Sequence, residues 1–178
     1  MDYLELIKKY YPEDNALRQL LLLHSRQVAD HCLQIVTKHK ELPVDRQFLE
    51  EAAMLHDIGV FRCHAPSILC VGSEPYIRHG LIGAELLRAE GLPRHARVAE
   101  RHTGTGLTRE QIERQQLPLP LQDFVPETIE EQIVCYADKF YSKSSPDRVR
   151  TVLETAQSLE KFGREGVAKF LMWAKRFE

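Results

Sequence analysis

Apolar positions recur at intervals of three and four along most of the chain, and no sustained alternation bounded by turn residues appears. That period is helical. From about Asp14 to His39 one stripe runs Leu17, Leu20, Leu21, His24, Val28, Cys32 and Ile35, which predicts a long helix with one buried face. A second helix is predicted from Asp45 to Asp57, with Leu49, Ala52, Ala53 and His56 on one side. Ser73 is positioned to cap a third, from about Glu74 to Glu90, which Gly91 stops. Pro93 opens a fourth that runs to about His102. Thr108 and Gln111 form a capping box for a short helix, and Thr128 with Glu131 another for a helix reaching about Ser142. Ser145-Pro146-Asp147 reads as the start of the next, and an amphipathic segment passes Gly163 and Gly166 to Phe177. Two stretches, 60–73 and 103–127, are left as loops. The expectation is an all-α chain forming a single domain over residues 1–178.

Composition agrees. Leucine occurs 23 times, more than valine and isoleucine together, a balance that favours helix over strand. Among 178 residues, 24 Lys+Arg against 26 Asp+Glu leave a net charge of −2, which argues against a long nucleic acid as partner because no basic excess is free for phosphates. No apolar run is long enough for a membrane span. The acidic start differs from a secretory leader, and together with scattered cysteines this implies a cytoplasmic protein. Cys32 and Cys135 read as small core residues, Cys63 and Cys70 as free thiols in a loop.

The histidines carry the chemistry. His24, His56, His79 and His102 each fall on the inward face of a different helix, and Asp138 follows Val134 by one turn. One inward histidine is ordinarily a hydrogen-bonded core residue. Five inward imidazoles and carboxylates on successive helices are another matter, because buried polar groups are costly unless mutually compensated, for which a shared cation serves.

At His56-Asp57-Ile58-Gly59, after Ala52-Ala53-Met54-Leu55, the chain resembles the HD superfamily of metal-dependent phosphohydrolases in its HDIG form. The order supports this: His24, then His56-Asp57, then Asp138 in Tyr136-Ala137-Asp138-Lys139. The resemblance covers about residues 20–143 and implies an HD-type helical bundle, with C-terminal helices over 146–177 packed on it. His79 and His102 resemble the additional ligands of the binuclear branch. By that likeness one ion takes His24, His56, Asp57 and Asp138, and another takes His79 and His102 with Asp57 bridging. Nitrogen and oxygen ligands without thiolate suit two divalent ions, iron or manganese first and cobalt or nickel next, better than a structural zinc.

The implied activity is hydrolysis of a phosphate ester or anhydride in a small nucleotide-like substrate, by a hydroxide held between the metals. Asp57, Lys139 and Arg62 are the candidate catalytic residues, and Lys139, Arg62 and Thr103 the candidate substrate contacts. Lys139 reads equally as a solvated helix lysine, and Arg62 as a loop arginine facing water. Val60 stands where the cyclic-dinucleotide enzymes of the superfamily carry lysine, and no Gly-Tyr-Pro element follows, which argues against that substrate. His102-Thr103-Gly104 is nearer to the HD hydrolases that split diadenosine tetraphosphate. The ligand set also matches HD-type mixed-valence di-iron oxygenases, the alternative reading, which would act on a small polar or anionic substrate. His31 is expected as a satisfied core histidine, His64 in solvent, and 103–127 as a lid. The oligomeric state is left open.

Overall fold

The computed structural model describes residues 1–160 and 163–178. Nine α-helices lie among them: α1 (Tyr3–Tyr10), α2 (Ala16–Lys38), α3 (Arg46–Leu55), α4 (His79–Ala89), α5 (Pro93–Arg101), α6 (Arg109–Arg114), α7 (Ile129–Asp138), α8 (Val152–Leu159) and α9 (Arg164–Phe177). The only paired strands among the described residues are a two-residue hairpin, β1 (His64–Ala65) with β2 (Cys70–Val71). The all-α expectation holds. No described helix is long and apolar enough to cross a membrane.

The expected stripes are the buried ones. Leu21, His24, Val28, Cys32 and Ile35 face inward on α2, and Leu49, Ala52 and Ala53 on α3 are fully buried. Asn15 and Asp45 cap these helices by accepting the Arg18 and Phe48 amides, while Thr108 and Thr128 form the two expected capping boxes.

Four boundaries differ from expectation. Helix α1 carries no long periodic pattern; Asp2 caps it, and it buries Leu6 and Ile7 against the core. The third helix starts at His79, not Glu74. Ser73 does not cap it, because Glu74 is paired with the preceding loop: its amide donates to Arg62 O and its carbonyl accepts from His64. Helix α7 ends at Asp138, well before Ser142. Ser145-Pro146-Asp147 makes a turn, and the next helix begins after Thr151, which forms its own capping box with Glu154.

Helix α2 packs on α3 and α7, and α5 packs on α3, α4 and α7. Two close approaches set the geometry that matters. A Cβ at Gly80 would lie 2.4 Å from Ala99 O, so only glycine lets α4 press onto α5. A Cβ at Gly59 would lie 2.4 Å from both His79 O and Gly83 N, so the turn after His56-Asp57 rests directly on α4. Tyr11 holds that turn from the other side, its hydroxyl donating to Ile58 O at 2.9 Å. At the far end, Tyr136 stacks on Phe170 and meets Phe177 edge-on, and Phe140 tilts against Phe170, both phenylalanines belonging to α9.

Candidate metal centre

His24, His56, Asp57 and Asp138 bring one ligand atom each within 4.8 Å of one another, and so do Asp57, His79 and His102. The six expected residues therefore converge, and Asp57 belongs to both groups. Its Oδ2 lies 3.2 Å from the Nε2 atoms of His24 and His56, while Oδ1 lies 3.4 Å from His79 Nε2 and 3.5 Å from His102 Nε2. Asp138 Oδ1 completes the first group, 3.1 Å from His24 Nε2.

Three imidazoles are aimed by one local device. His56 Nδ1 donates to Ala53 O at 2.6 Å, His79 Nδ1 to Tyr76 O at 2.7 Å, and His102 Nδ1 to Ala99 O at 2.7 Å. His56 and His102 each follow the last residue of a helix, where backbone carbonyls lack an intrahelical partner and are free to accept from the ring three residues on. A carbonyl cannot donate, so each Nδ1 carries a proton and each Nε2 is the nitrogen turned inward, toward the carboxylates. That tautomer is the metal-ligating one.

The result is a concentration of acceptors. His79 Nε2 and His102 Nε2 are 3.0 Å apart, two lone pairs facing each other. His56 Nε2 and Asp57 Oδ1 are buried with no hydrogen-bond partner among the described residues. Burial holds His79 neutral, lowering it from 6.5 to about 3, and lowers His102 as well. Burial also works to lower His56, but the Asp57 and Asp138 carboxylates outweigh it and raise that ring to about 9, so without metal it holds a second proton on Nε2 that a bound cation would displace. Against burial, Asp57 is held well below the ordinary carboxylate range by Lys143 and His56, and Asp138 by Lys139 and His24. Opposed lone pairs, orphaned acceptors and two ionised carboxylates call for cations, and the nitrogen and oxygen donors fit a pair of divalent ions.

The centre opens onto a cleft of about 400 Å³ lined in part by His79, His102, Thr103, Asp138, Lys139, Lys143 and Arg150. Lys139 and Thr103 thus reach the place expected of them, and Lys139 Nζ contacts Asp138 Oδ2. Arg62 does not. It ends a one-turn 3-10 helix (Val60–Arg62) that buries Val60 and turns Arg62 outward, exposed, with its guanidinium over the Phe61 ring. His31 packs edge-on against Phe140 and Tyr141 but is half-buried, and its Nδ1 has no partner among the described residues, so it is not the satisfied core histidine expected. His64 is exposed. Cys63 and Cys70 are free, but both are buried, Cys63 against Ile82 and Leu86 and Cys70 in the main core.

Three residues of the site escaped the sequence reading. Lys143 Nζ contacts Asp57 Oδ2 and lies 3.2 Å from His24 Nε2. Tyr76 stacks on the His79 ring, centroids 4.6 Å apart. Arg150 takes the place in the cleft proposed for Arg62. Lys143 sits four residues after Lys139, a spacing visible in the sequence, but the chain leaves α7 before reaching it.

The HD domain family matches residues 21–142. An uncharacterized protein of Methanocaldococcus jannaschii is 38% identical over 135 residues, covering 70% of this chain and 72% of that protein. A tRNA (cytidine(56)-2'-O)-methyltransferase of Picrophilus torridus is 35% identical over 147 residues, covering 75% of this chain and 38% of that enzyme. The enzyme of the same name from Thermoplasma volcanium is 30% identical over 165 residues, covering 88% and 44%. This chain thus spans less than half the length of either methyltransferase. No solved structure matches it.

Proposed function

Because this chain belongs to the HD domain family, we propose that it is a metal-dependent phosphohydrolase cleaving a phosphate ester or anhydride of a small nucleotide-like molecule. The observation that carries this reading is the division of Asp57 between two groups of inward lone pairs. His24, His56, Asp57 and Asp138 would hold one divalent ion, and Asp57, His79 and His102 a second, iron or manganese being the first candidates. When bound, such ions supply an ionised water at neutral pH and positive charge against the developing phosphoryl charge.

The chain's own residues do the rest. The ring tethers at Ala53, Tyr76 and Ala99 hold the ligands in one orientation, so little reorganisation is needed. Lys139, Lys143 and Arg150 line the cleft with three positive charges, which favours an anionic substrate over a neutral one. Lys139, beside Asp138, is positioned to meet a phosphate oxygen, and the Thr103 hydroxyl lines the same cleft. Arg62 has no part in this.

The test uses protein stripped by chelation and reloaded separately with Mn, Co or Fe, given nucleotides, polyphosphates and tRNA without oxygen. The tRNA is included because two relatives are named for acting on it. Release of phosphate or nucleotide, lost with metal in Asp57→Asn, is expected. Turnover seen only with iron and air, with oxygen consumed, would move the assignment to the oxygenase chemistry of the same fold.

A further inference from the structure

The three cations of the cleft are not equivalent. Lys139 lies against Asp138 and Lys143 against Asp57, so each ammonium is committed to a carboxylate of the metal centre. Arg150 is not. Among the described residues it makes no ion pair with a carboxylate and no hydrogen bond to any of the six ligand candidates. The one hydrogen bond of its side chain there runs from Nη1 to Lys139 O, at a long 3.4 Å. A guanidinium presents five N–H donors in a planar fork, so most of them are left for a molecule in the cleft that Arg150 lines. Capping the last carbonyls of α7 is the structural use of such an arginine, and one long bond employs little of the fork.

The backbone brings Arg150 to this place and keeps it there. After α7 the chain loops out and returns: Tyr141 pairs antiparallel with Val149, and the Arg150 amide donates to Phe140 O at 2.9 Å. The loop between is tied to α2, where Gln27 Nε2 donates to Pro146 O at 2.8 Å. An anion meeting the guanidinium therefore has no backbone to order, and ordering is one of the costs that weaken binding.

Charge points the same way. Two divalent ions with Lys139, Lys143 and Arg150, set against the carboxylates of Asp57 and Asp138, leave a positive excess well beyond the roughly two negative charges of a phosphate monoester. We infer that Arg150 forms a second anion subsite, which holds a phosphate of the substrate other than the one attacked at the metals and so favours nucleoside di- and triphosphates over monophosphates. The inference deepens the phosphohydrolase reading and rests on it for the attacked phosphate. A planar fork suits a phosphate through two parallel hydrogen bonds, a match that an ammonium does not offer.

Orthophosphate and methylenediphosphonate test the subsite without any hydrolysis, since neither can be cleaved. Each is titrated calorimetrically into manganese-loaded protein, with metal content and the circular dichroism spectrum checked in every variant. Arg150→Met should weaken the diphosphonate about tenfold and orthophosphate less than twofold, with metal content and spectrum as in the parent. Arg150→Lys keeps the charge without the fork and should fall between parent and Arg150→Met. Equal weakening of both ligands by Arg150→Met, or weakening of neither, overturns the subsite. Nucleotide hydrolysis followed on the same samples separates the two ideas. Turnover without Arg150-dependent diphosphonate binding loses only the subsite, and such binding without turnover loses only the chemistry.

Discussion

Lys143 Nζ lies against Asp57 Oδ2, bridging 86 residues of sequence, and thereby sets an ammonium among the four groups that would hold the first metal ion. It also lies 3.2 Å from His24 Nε2, as Lys139 lies against Asp138 on the other side of the same group. Both the ammonium and a divalent ion neutralise the same carboxylate, so they compete for it.

Lys143→Met therefore has opposite effects in the two states. Without metal, Asp57 loses its partner, and the melting temperature should fall, since an unpaired buried charge is strongly destabilising. With metal, the competitor is gone, and affinity should rise about tenfold, or ~1.4 kcal/mol. Chelator competition reads the affinity. An unchanged dissociation constant would mean that the lysine and the ion do not share the site.

The second ion depends on the contact between α4 and α5. Gly80→Ala puts a methyl group 2.4 Å from Ala99 O, and the backbones must part by more than a soft adjustment allows. The expected loss is about 1–3 kcal/mol in stability, with His79 and His102 drawn apart. Elemental analysis should find two ions per parent chain and about one in Gly80→Ala, matching His79→Ala. Full occupancy in Gly80→Ala would show that the helix spacing is not what pairs the two rings.

Removing metal should loosen the whole fold. A ligand present at a thousand times its dissociation constant stabilises by about 4 kcal/mol, which for a domain of this size corresponds to roughly 8–16 °C in melting temperature. Differential scanning calorimetry before and after chelation measures it. A shift near zero would contradict the proposed occupancy of the buried centre.

His31 gives a pH dependence that is independent of metal. Burial lowers its pKa from the ordinary 6.5, with Glu178 opposing weakly. A base whose folded pKa is depressed contributes its full stability above 6.5, where the unfolded chain is also neutral. That stability is lost as pH falls toward the folded value, because the unfolded chain takes up the proton first. His31→Phe keeps a ring against Phe140 and Tyr141 without the titration. Its melting temperature relative to the parent should therefore climb between pH 8 and pH 5.5. A constant difference across that range would show that the imidazole is solvated in the fold.

Much of the centre was legible in the sequence because its ligands sit on apolar stripes. His24 lies among Leu21 and Val28, and each remaining ligand is tied to a helix whose hydrophobic period announces the inward face. Periodicity reports which side of a helix is buried, and the cost of burying imidazoles and carboxylates then points to a common purpose. The expected helices that failed did so at their ends. Glu74 was taken by backbone pairing with Arg62 and His64, and α7 stopped at Asp138, contacts that no local pattern encodes.

The sequence by itself marked most of the helices and set His24, His56, His79, His102 and Asp138 on their inward faces, since these follow from short-range spacing, while Asp57 and its bridging place came with the likeness to the HD family. Only the tertiary structure decided that Lys143 returns to Asp57 and that Arg150 rather than Arg62 reaches the cleft. Those outcomes depend on chain reversals after α7 and on backbone approaches at Gly59 and Gly80. Such approaches are set by how whole helices pack, over separations that a local period cannot sense.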